Sequence, residues 1–291
     1  MAVALVGLLG SACADTKDTT GGALDLEERA AALEAACSDH DSVRVTTGST
    51  GRIEISDFFV AGTFYADDTI LRTERCVAHL EGPDEPRAPA GTLTVSSDLV
   101  GTPGGPPAAL VINPDLSNDY FEFPDPPLFN YPDGTRVRIQ LAGAPAFPAI
   151  HHRNVRSSPF GVIAFTQPQV PASGVLAIAS TAPFALDWTV PEGARRAPQQ
   201  SIAASLLVLG PGAWGHIYCS WPVAEGHGEI PAAMLGEFRT RLGGAGALGG
   251  ALDIFSGEFR ELTMATSSYV ILVGSDLPQT SIPRSTSVLF E

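Results

Sequence analysis

Phe184-Ala185-Leu186-Asp187-Trp188-Thr189-Val190 is the stretch that decides the fold, because a large apolar side chain occupies every second position. Successive side chains of a β-strand point to opposite faces, so this period of two predicts a strand with one buried face and one wet face. Similar segments, separated by Gly and Pro, follow one another from about residue 42 onward. Short strands at such intervals indicate a sandwich or a closed sheet.

Further strands are predicted wherever the same alternation recurs, at residues 52–56, 92–95, 136–141, 161–166, 174–180, 201–209, 216–221 and 269–274. Two helices interrupt the pattern. A short N-terminal one is capped by Asp25 and carries Cys37 on its buried face. A second one covers 231–242, with Pro231 in its first turn and Gly243 at its end.

The fold class is therefore all-β, and we expect two antiparallel sandwich domains of immunoglobulin-like or jelly-roll-like type. The chain of 291 residues is long enough for two cores. Pro and polar residues interrupt the strands near residues 143–158. This predicts an N-terminal domain at 25–150, which includes the short leading helix, and a C-terminal immunoglobulin-like domain at 151–291.

The N-terminus carries an apolar run, Ala2 to Leu9, which ends in small residues followed by Cys13. This is the pattern of a bacterial lipoprotein signal, in which cleavage precedes the cysteine and its sulfur receives the lipid. We expect a signal peptide at 1–12, lipidation of Cys13 and a flexible tether at 13–24. The alternative is an apolar N-terminus on a soluble protein. The expected location is extracytoplasmic, anchored to the cell envelope in the outer membrane or periplasm.

The net charge of the chain limits the kinds of partner that it can bind. With 32 acidic and 17 basic residues, the net charge of −15 argues against nucleic acid, whose phosphates need clustered Lys and Arg. It also argues against docking on anionic lipid by charge alone. The expected partners are a membrane through the lipid anchor only, and a protein or glycan at the cell surface. No cofactor and no metal are expected.

The chain has four cysteines, Cys13, Cys37, Cys76 and Cys219. If Cys13 carries lipid, the other three allow one disulfide and leave one thiol. We expect Cys37 to pair with Cys76, since an oxidising compartment permits the bond. Cys219 alternates with Ile217 and Trp221 on one strand face, which favours a small buried hydrophobic residue over a reactive thiol.

Several segments together resemble the uncharacterised secreted lipoproteins of myxobacteria and related predatory or gliding bacteria. Besides the lipidation signal, the segments are Phe58 to Tyr65, Gly91 to Val95, Ala144 to Pro148, Leu186 to Trp188, and Cys219 followed by Gly228 to Leu235. The resemblance implies an extracytoplasmic β-sandwich protein. It supplies no catalytic residue.

Catalytic motifs are incomplete. Gly244 to Gly249 matches the G-x-G-x-x-G string, but a helix precedes it and strand-like sequence follows, the reverse of the dinucleotide-binding order, so we expect a loop. No G-x-S-x-G elbow and no standard zinc spacing occur. A metal shared by His151 and His152, and a general base at His227, are the less favoured alternatives.

Two acidic segments, Asp67-Asp68 and Asp115 to Asp119, are typical of turns that cap strands, and calcium binding is the alternative. Residues 119–133 combine five aromatics with four prolines. Flat apolar faces beside carboxylates suit sugar rings or extended peptides, and Tyr120, Phe129 and Tyr131 are the candidate ligand-binding residues. Alternatively, these residues fold inward and cover a sheet edge.

The sequence therefore predicts a lipid-anchored β-sandwich protein of the envelope that acts by binding or as a surface component, and is not an enzyme. One alternative is a secreted hydrolase with its site in the cleft between domains. It requires a buried His within hydrogen-bond reach of both a nucleophile and a carboxylate. The other alternative is a carbohydrate-binding module that uses the loop 119–133.

Overall fold

The structure is a computed structural model that describes residues 42–55, 60–82, 87–97, 109–122, 136–156, 163–196, 200–264, 267–276 and 285–291. Within these ranges the fold is all-β, as the period of two predicted, with one α-helix, α1 (Ala232–Leu242). The strands are β1 (Arg44–Ile55), β2 (Val60–Arg72), β3 (Cys76–Glu81), β4 (Leu93–Ser97), β5 (Leu110–Ile112), β6 (Tyr120–Glu122), β7 (Arg136–Leu141), β8 (Ile150–Arg156), β9 (Phe165–Gln167), β10 (Val175–Ile178), β11 (Phe184–Trp188), β12 (Ser201–Leu209), β13 (Trp214–Pro222), β14 (His227–Ile230), β15 (Leu248–Met264), β16 (Ser267–Asp276) and β17 (Ser285–Phe290).

Ten strands form one large sheet in the order β10-β17-β15-β12-β13-β3-β2-β1-β16, with β6 beside β2. β15 is long enough to change partners: its first part pairs with β12 and β17, and its second part pairs with β16. Because β16 also pairs with β1, hydrogen bonding runs from β15 through β12, β13, β3, β2, β1 and β16 back to β15. These seven strands form a closed circuit, with an outer face and an inner face.

A four-stranded sheet, β5-β4-β7-β8, covers the outer face of β1, β2 and β16. Phe64 is the centre of this packing. Its ring makes edge-to-face contacts with Tyr120, Phe147 and Tyr269, at centroid distances of 5.1, 5.7 and 6.3 Å. A Cβ atom at Gly51 would come within 2.6 Å of the Phe64 and Tyr269 rings, so only glycine lets the rings lie this close to β1.

A three-stranded sheet, β14-β11-β9, and α1 cover the outer face of β3, β12, β13 and β15. β11 has the clear alternation of large apolar residues, and it buries Phe184, Leu186 and Trp188 as that alternation predicted. The indole nitrogen of Trp188 donates to the carbonyl of Val223 at 2.8 Å. This hydrogen bond satisfies the one polar atom that the ring brings into the core.

The two sandwich-like packings share the large sheet, which corrects the predicted domains at 25–150 and 151–291. β3 pairs with β13 and β1 pairs with β16 across the predicted boundary, and residues 43–291 form one compact unit. The segment near residue 150 interrupts the local pattern without separating the cores, because strand pairing joins residues that are far apart in sequence.

The inner face has a small apolar cluster of its own, contributed by Ile70, Val77, Ala203, Tyr218, Phe255, Val270 and Leu272. All seven belong to strands of the circuit. The inner side chains are therefore buried against one another across the circuit. Polar residues are buried here as well, among them Glu54, Asp68, His79 and Glu81.

The second predicted helix is confirmed, because α1 begins after Pro231 and ends before Gly243, whose φ is 69°. The helix predicted from Asp25 lies outside the described residues. β3 escaped prediction because all six of its residues are buried and no alternation is visible. Along the described stretches, no helix combines the length and the apolar character that crossing a bilayer requires.

A disulfide joins Cys76 to Cys219, which are directly paired residues of β3 and β13. This corrects the predicted bond between Cys37 and Cys76. Cys219 is fully buried, as expected, but as half of the disulfide. The sequence around Cys76 does not indicate that β3 pairs with β13, since the two cysteines lie 143 positions apart in sequence.

We predict that Cys76→Ala/Cys219→Ala lowers the free energy of unfolding by roughly 4 to 5 kcal/mol, since the bond closes a long loop. Urea denaturation of both proteins measures the loss. Cys37→Ala is the matched control, because it removes a cysteine that is not part of the bond. Its free energy of unfolding should lie within about 0.5 kcal/mol of the value for the parent protein. Non-reducing peptide mapping should recover the Cys76 and Cys219 peptides joined, and a Cys37–Cys76 peptide would contradict the assignment.

Candidate functional site

Four of the residues singled out in the sequence lie outside the described residues. They are Cys13, the expected lipidation site, Cys37, and the ligand-binding candidates Phe129 and Tyr131. Tyr120 is 1% exposed, and its hydroxyl accepts from the amide of Ala90 at 2.8 Å and donates to the carbonyl of Gly91 at 2.6 Å. This corrects its assignment as a ligand-binding ring, because β6 packs inward beside β2 as the alternative proposed.

Asp115 holds a turn, as expected: a carboxylate oxygen accepts from the amides of Ser117 and Asp119, at 2.7 and 2.9 Å. Asp67 and Asp68 lie within β2, which corrects their assignment to a turn. The buried Asp68 accepts from the hydroxyl of Thr50 on the neighbouring strand β1. Over the part of the chain described here, no group of three or more His, Cys, Asp or Glu residues is placed to hold a metal ion.

Most of the glycine string lies in the loop between α1 and β15, as expected, and its last residue, Gly249, is already in β15. Arg239 of α1 donates to the carbonyls of Gly243, Gly244 and Gly246. One guanidinium thereby satisfies three carbonyls of the segment that follows the helix. A phosphate would need a helix N-terminus at this place, and the helix ends here instead.

His227 forms an exposed dyad with Asp187, with 2.6 Å between Nδ1 and Oδ1. The His227 and Asp187 side chains are 55% and 38% exposed, and Glu225, two residues before His227, pairs with Arg75. In the described chain, the dyad has no hydrogen bond to a Ser, Thr or Cys. The hydrolase alternative needs a buried His with such a partner, and this pair does not supply it.

A cavity of about 190 Å³ lies on the inner face, where β1, β2, β3 and β13 are neighbours. Alternate residues of each strand line it, since alternate residues share a face. The lining residues on these strands are Thr50, Arg52, Thr63, Tyr65, His79, Glu81, Trp214, His216 and Tyr218, and Arg87 joins them from the segment after β3. We call this space the inner cavity.

Arg52 brings a positive charge into the inner cavity together with its counter-charge. One guanidinium nitrogen donates to Glu54 at 2.6 Å, and another donates to the Tyr218 hydroxyl at 3.4 Å. A buried arginine without a carboxylate would be strongly destabilising. Arginine has five N–H donors, so these two bonds leave further donors beside the cavity.

Arg87 provides the second positive charge and is also paired. It forms an ion pair with Asp119, and its Nε donates to the Tyr65 hydroxyl at 3.3 Å. Burial raises the pKa of Tyr65, and the charge and hydrogen bond of Glu81 raise it further. Tyr65 therefore stays protonated and links Glu81 to Arg87.

His79 and His216 are directly opposite each other on β3 and β13, and both are buried. Nε2 of His79 and Nδ1 of His216 have no hydrogen-bond partner among the described residues. Burial, followed by the charges of Arg72 and Arg52, lowers the pKa of His79 to about 3. Burial, followed by Arg52 and His79, lowers the pKa of His216 well below 6.5. Both rings are therefore neutral near pH 7.

Trp214, His216 and Tyr218 form an aromatic row along the inner face of β13. His216 stacks on Tyr218 with centroids 5.4 Å apart and planes inclined by 6°. Trp214 contacts His216 at 5.7 Å and the Tyr65 ring at 6.1 Å, edge to face in both cases. These contacts fix the orientation of the His216 ring and of its unpartnered nitrogen.

The sequence did not reveal this site, because the strand predicted at residues 52–56 has one buried and one wet face, and the alternation puts Arg52 and Glu54 on the wet one. Glu54 is 4% exposed, since the closed circuit turns that face inward. His79 and His216 belong to no ligand motif, and only strand pairing brings them together. The alternation of polar residues was visible, but the direction in which that face points was not.

The comparisons with known proteins give little. No protein-family model and no curated protein matches the chain. A solved structure described as a tetra-tandem repeat in the extending region of a large adhesion protein aligns with 84% of this chain, at 10% identity and a TM-score of 0.20. This chain spans about half of that one, 49%. A similarity of this size supports no argument about fold or function.

We predict that His79 and His216 make stability depend on pH. Their pKa values are lower in the folded state than in the unfolded chain, so unfolding takes up protons below about pH 6.5. The free energy of unfolding should therefore fall as the pH is lowered from 6.5, by up to about 1.4 kcal/mol per pH unit for each histidine. Urea denaturation between pH 7.5 and 5 measures the slope.

His79→Gln/His216→Gln should flatten this slope between pH 6.5 and 5, a range in which ordinary carboxylates remain ionised. His227→Gln, which changes an exposed histidine, is the matched control and should leave the slope nearly unchanged. Equal slopes for the double variant and the parent protein would contradict the assignment of buried neutral imidazoles.

Proposed function

We propose that this protein is an extracytoplasmic binding protein of the cell envelope, and that the inner cavity is its binding site. The observation that carries the proposal is the inner cavity itself, about 190 Å³ in volume and lined by two arginines, a glutamate and the neutral rings of His79 and His216. A concave space on which a few polar groups converge is typical of a small-molecule site.

The chemistry of the cavity favours binding over catalysis. A general acid or base works best when its pKa lies near the working pH, and the pKa of His79 is lowered to about 3. The two arginines are engaged by Glu54 and Asp119. Fixed, compensated charges and neutral rings are suited to holding a molecule without transferring a proton to it.

The disulfide supports a location outside the cytoplasm, because such bonds form and persist in oxidising compartments. The apolar run before Cys13 supports export and lipid attachment at that cysteine. The proposal therefore includes a lipid anchor on Cys13, which holds the protein at the envelope while the folded body binds.

We predict that the full chain, incubated with envelope extract and washed, retains a small molecule that native mass spectrometry detects. His79→Phe/His216→Phe should lose the adduct, because phenylalanine keeps the ring shape and removes the unpartnered nitrogens. His227→Phe is the matched control and should keep it. An adduct that persists in the double variant, or no adduct on the parent, would refute binding at this site.

We predict that a clickable palmitate analogue labels the protein in living cells, since the proposed anchor is an acyl chain on Cys13. Cys13→Ser should abolish the label and shift the protein from the membrane fraction to the soluble fraction. Cys37→Ser is the control and should retain both label and membrane location. Unlabelled parent protein in the cytoplasm would refute the anchor and the location.

A further inference from the structure

We propose that the molecule held in the inner cavity is one uncharged, polyhydroxylated ring of monosaccharide size. This inference rests on the proposed binding function and specifies its ligand. Four features of the cavity carry it: its volume, the carboxylate partners of its arginines, its polar lining and its two aromatic planes.

The volume sets the size of the ligand. The inner cavity measures about 190 Å³, and drug-sized ligands occupy sites of roughly 300–1,000 Å³. Since a water molecule takes up about 30 Å³ in the liquid, the space corresponds to roughly six waters. A single sugar ring fits such a space, whereas an oligosaccharide or a peptide would have to extend out of it.

The charges of the cavity disfavour an anionic ligand. Arg52 is paired with Glu54, and Arg87 is paired with Asp119, while both histidines are neutral. A carboxylate or phosphate in this space would compete with the existing carboxylates for the guanidinium groups and would lie near Glu81. Burial of a charge without a new partner is costly, so a neutral molecule is favoured over an anion.

The hydrogen-bonding atoms point to hydroxyl groups. A neutral imidazole nitrogen either donates or accepts, depending on its tautomer, and the guanidinium groups only donate. A hydroxyl both donates and accepts, so one kind of ligand group suits the polar residues that line the cavity, among them Arg52, whose guanidinium has further N–H groups. A ligand that carries several hydroxyls around a ring presents them in the different directions that these atoms require.

The aromatic planes account for the apolar face of such a ring. Trp214 and Tyr65 both line the cavity, and their planes meet at 80° with centroids 6.1 Å apart. A sugar has hydroxyls at its edge and C–H groups on its faces. One flat indole or phenol surface covers a C–H face, while the polar atoms of β1, β3 and β13 bond to the edge.

The test titrates the purified full chain with glucose, galactose, arabinose and N-acetylglucosamine, and with acetate, inorganic phosphate and glycine as small charged probes. Saturation-transfer difference NMR and calorimetry detect the binding. We expect at least one sugar to bind and the charged probes not to bind. His216→Phe, which retains the stack on Tyr218, and Trp214→Leu should each weaken the sugar at least tenfold.

His227→Phe is the matched control and should bind as the parent does. Each variant is first compared with the parent by circular dichroism and thermal unfolding. If a variant does not fold, the tryptophan fluorescence of the parent protein replaces it. Trp188 and Trp221 are buried in the outer core, so a sugar seated against the Trp214 indole should be the source of a shift in emission.

The outcomes separate this inference from the proposed function. A charged probe that binds better than every sugar, and is lost in His216→Phe, overturns the sugar assignment and leaves the binding function standing. The same holds if native mass spectrometry identifies a non-sugar adduct. If no sugar and no charged probe binds and no adduct is captured, the cavity holds only water, and both proposals fail.

Discussion

Closure of the strand circuit is the constraint on which the rest of the structure depends. β15 pairs with β12 along one edge and with β16 along the other, and β16 continues to β1. A strand face that would meet water in an open sheet is thereby turned inward. Its charges must then be neutralised within the protein, because an isolated buried charge is strongly destabilising. The pairs Arg52–Glu54 and Arg87–Asp119 meet that requirement.

The same closure gives the cavity its chemistry. Burial favours the neutral form of His79 and His216, and it keeps Tyr65 and Tyr218 protonated by raising the pKa of each phenol. The site is therefore polar, and each of its arginines is paired with a carboxylate. Such a site discriminates by the position of its hydrogen-bonding atoms more than by electrostatic attraction. This is the physical basis for assigning it to binding and for expecting a neutral ligand.

The outer face of the circuit explains why one sheet serves two cores. The four-stranded sheet packs around Phe64 at one part of it, and β11 with α1 packs around Trp188 and Phe238 at another. The disulfide between Cys76 and Cys219 lies where β3 meets β13, beneath the second cover and beside the cavity wall formed by His79 and His216. Covering elements and cavity are thus parts of one hydrogen-bonded framework.

The sequence alone determined the all-β class, the position of α1 and the buried face of segments such as Phe184 to Trp188, because these follow from local periodicity and turn residues. Only the tertiary structure decided which strands pair, that Cys76 bonds to Cys219, that Tyr120 and Glu54 are buried, and that Arg52 lines a cavity. The reason is physical. Period and propensity act between neighbours in the chain, whereas pairing of β1 with β16 brings Thr50 beside Ser268, and no local pattern encodes that contact.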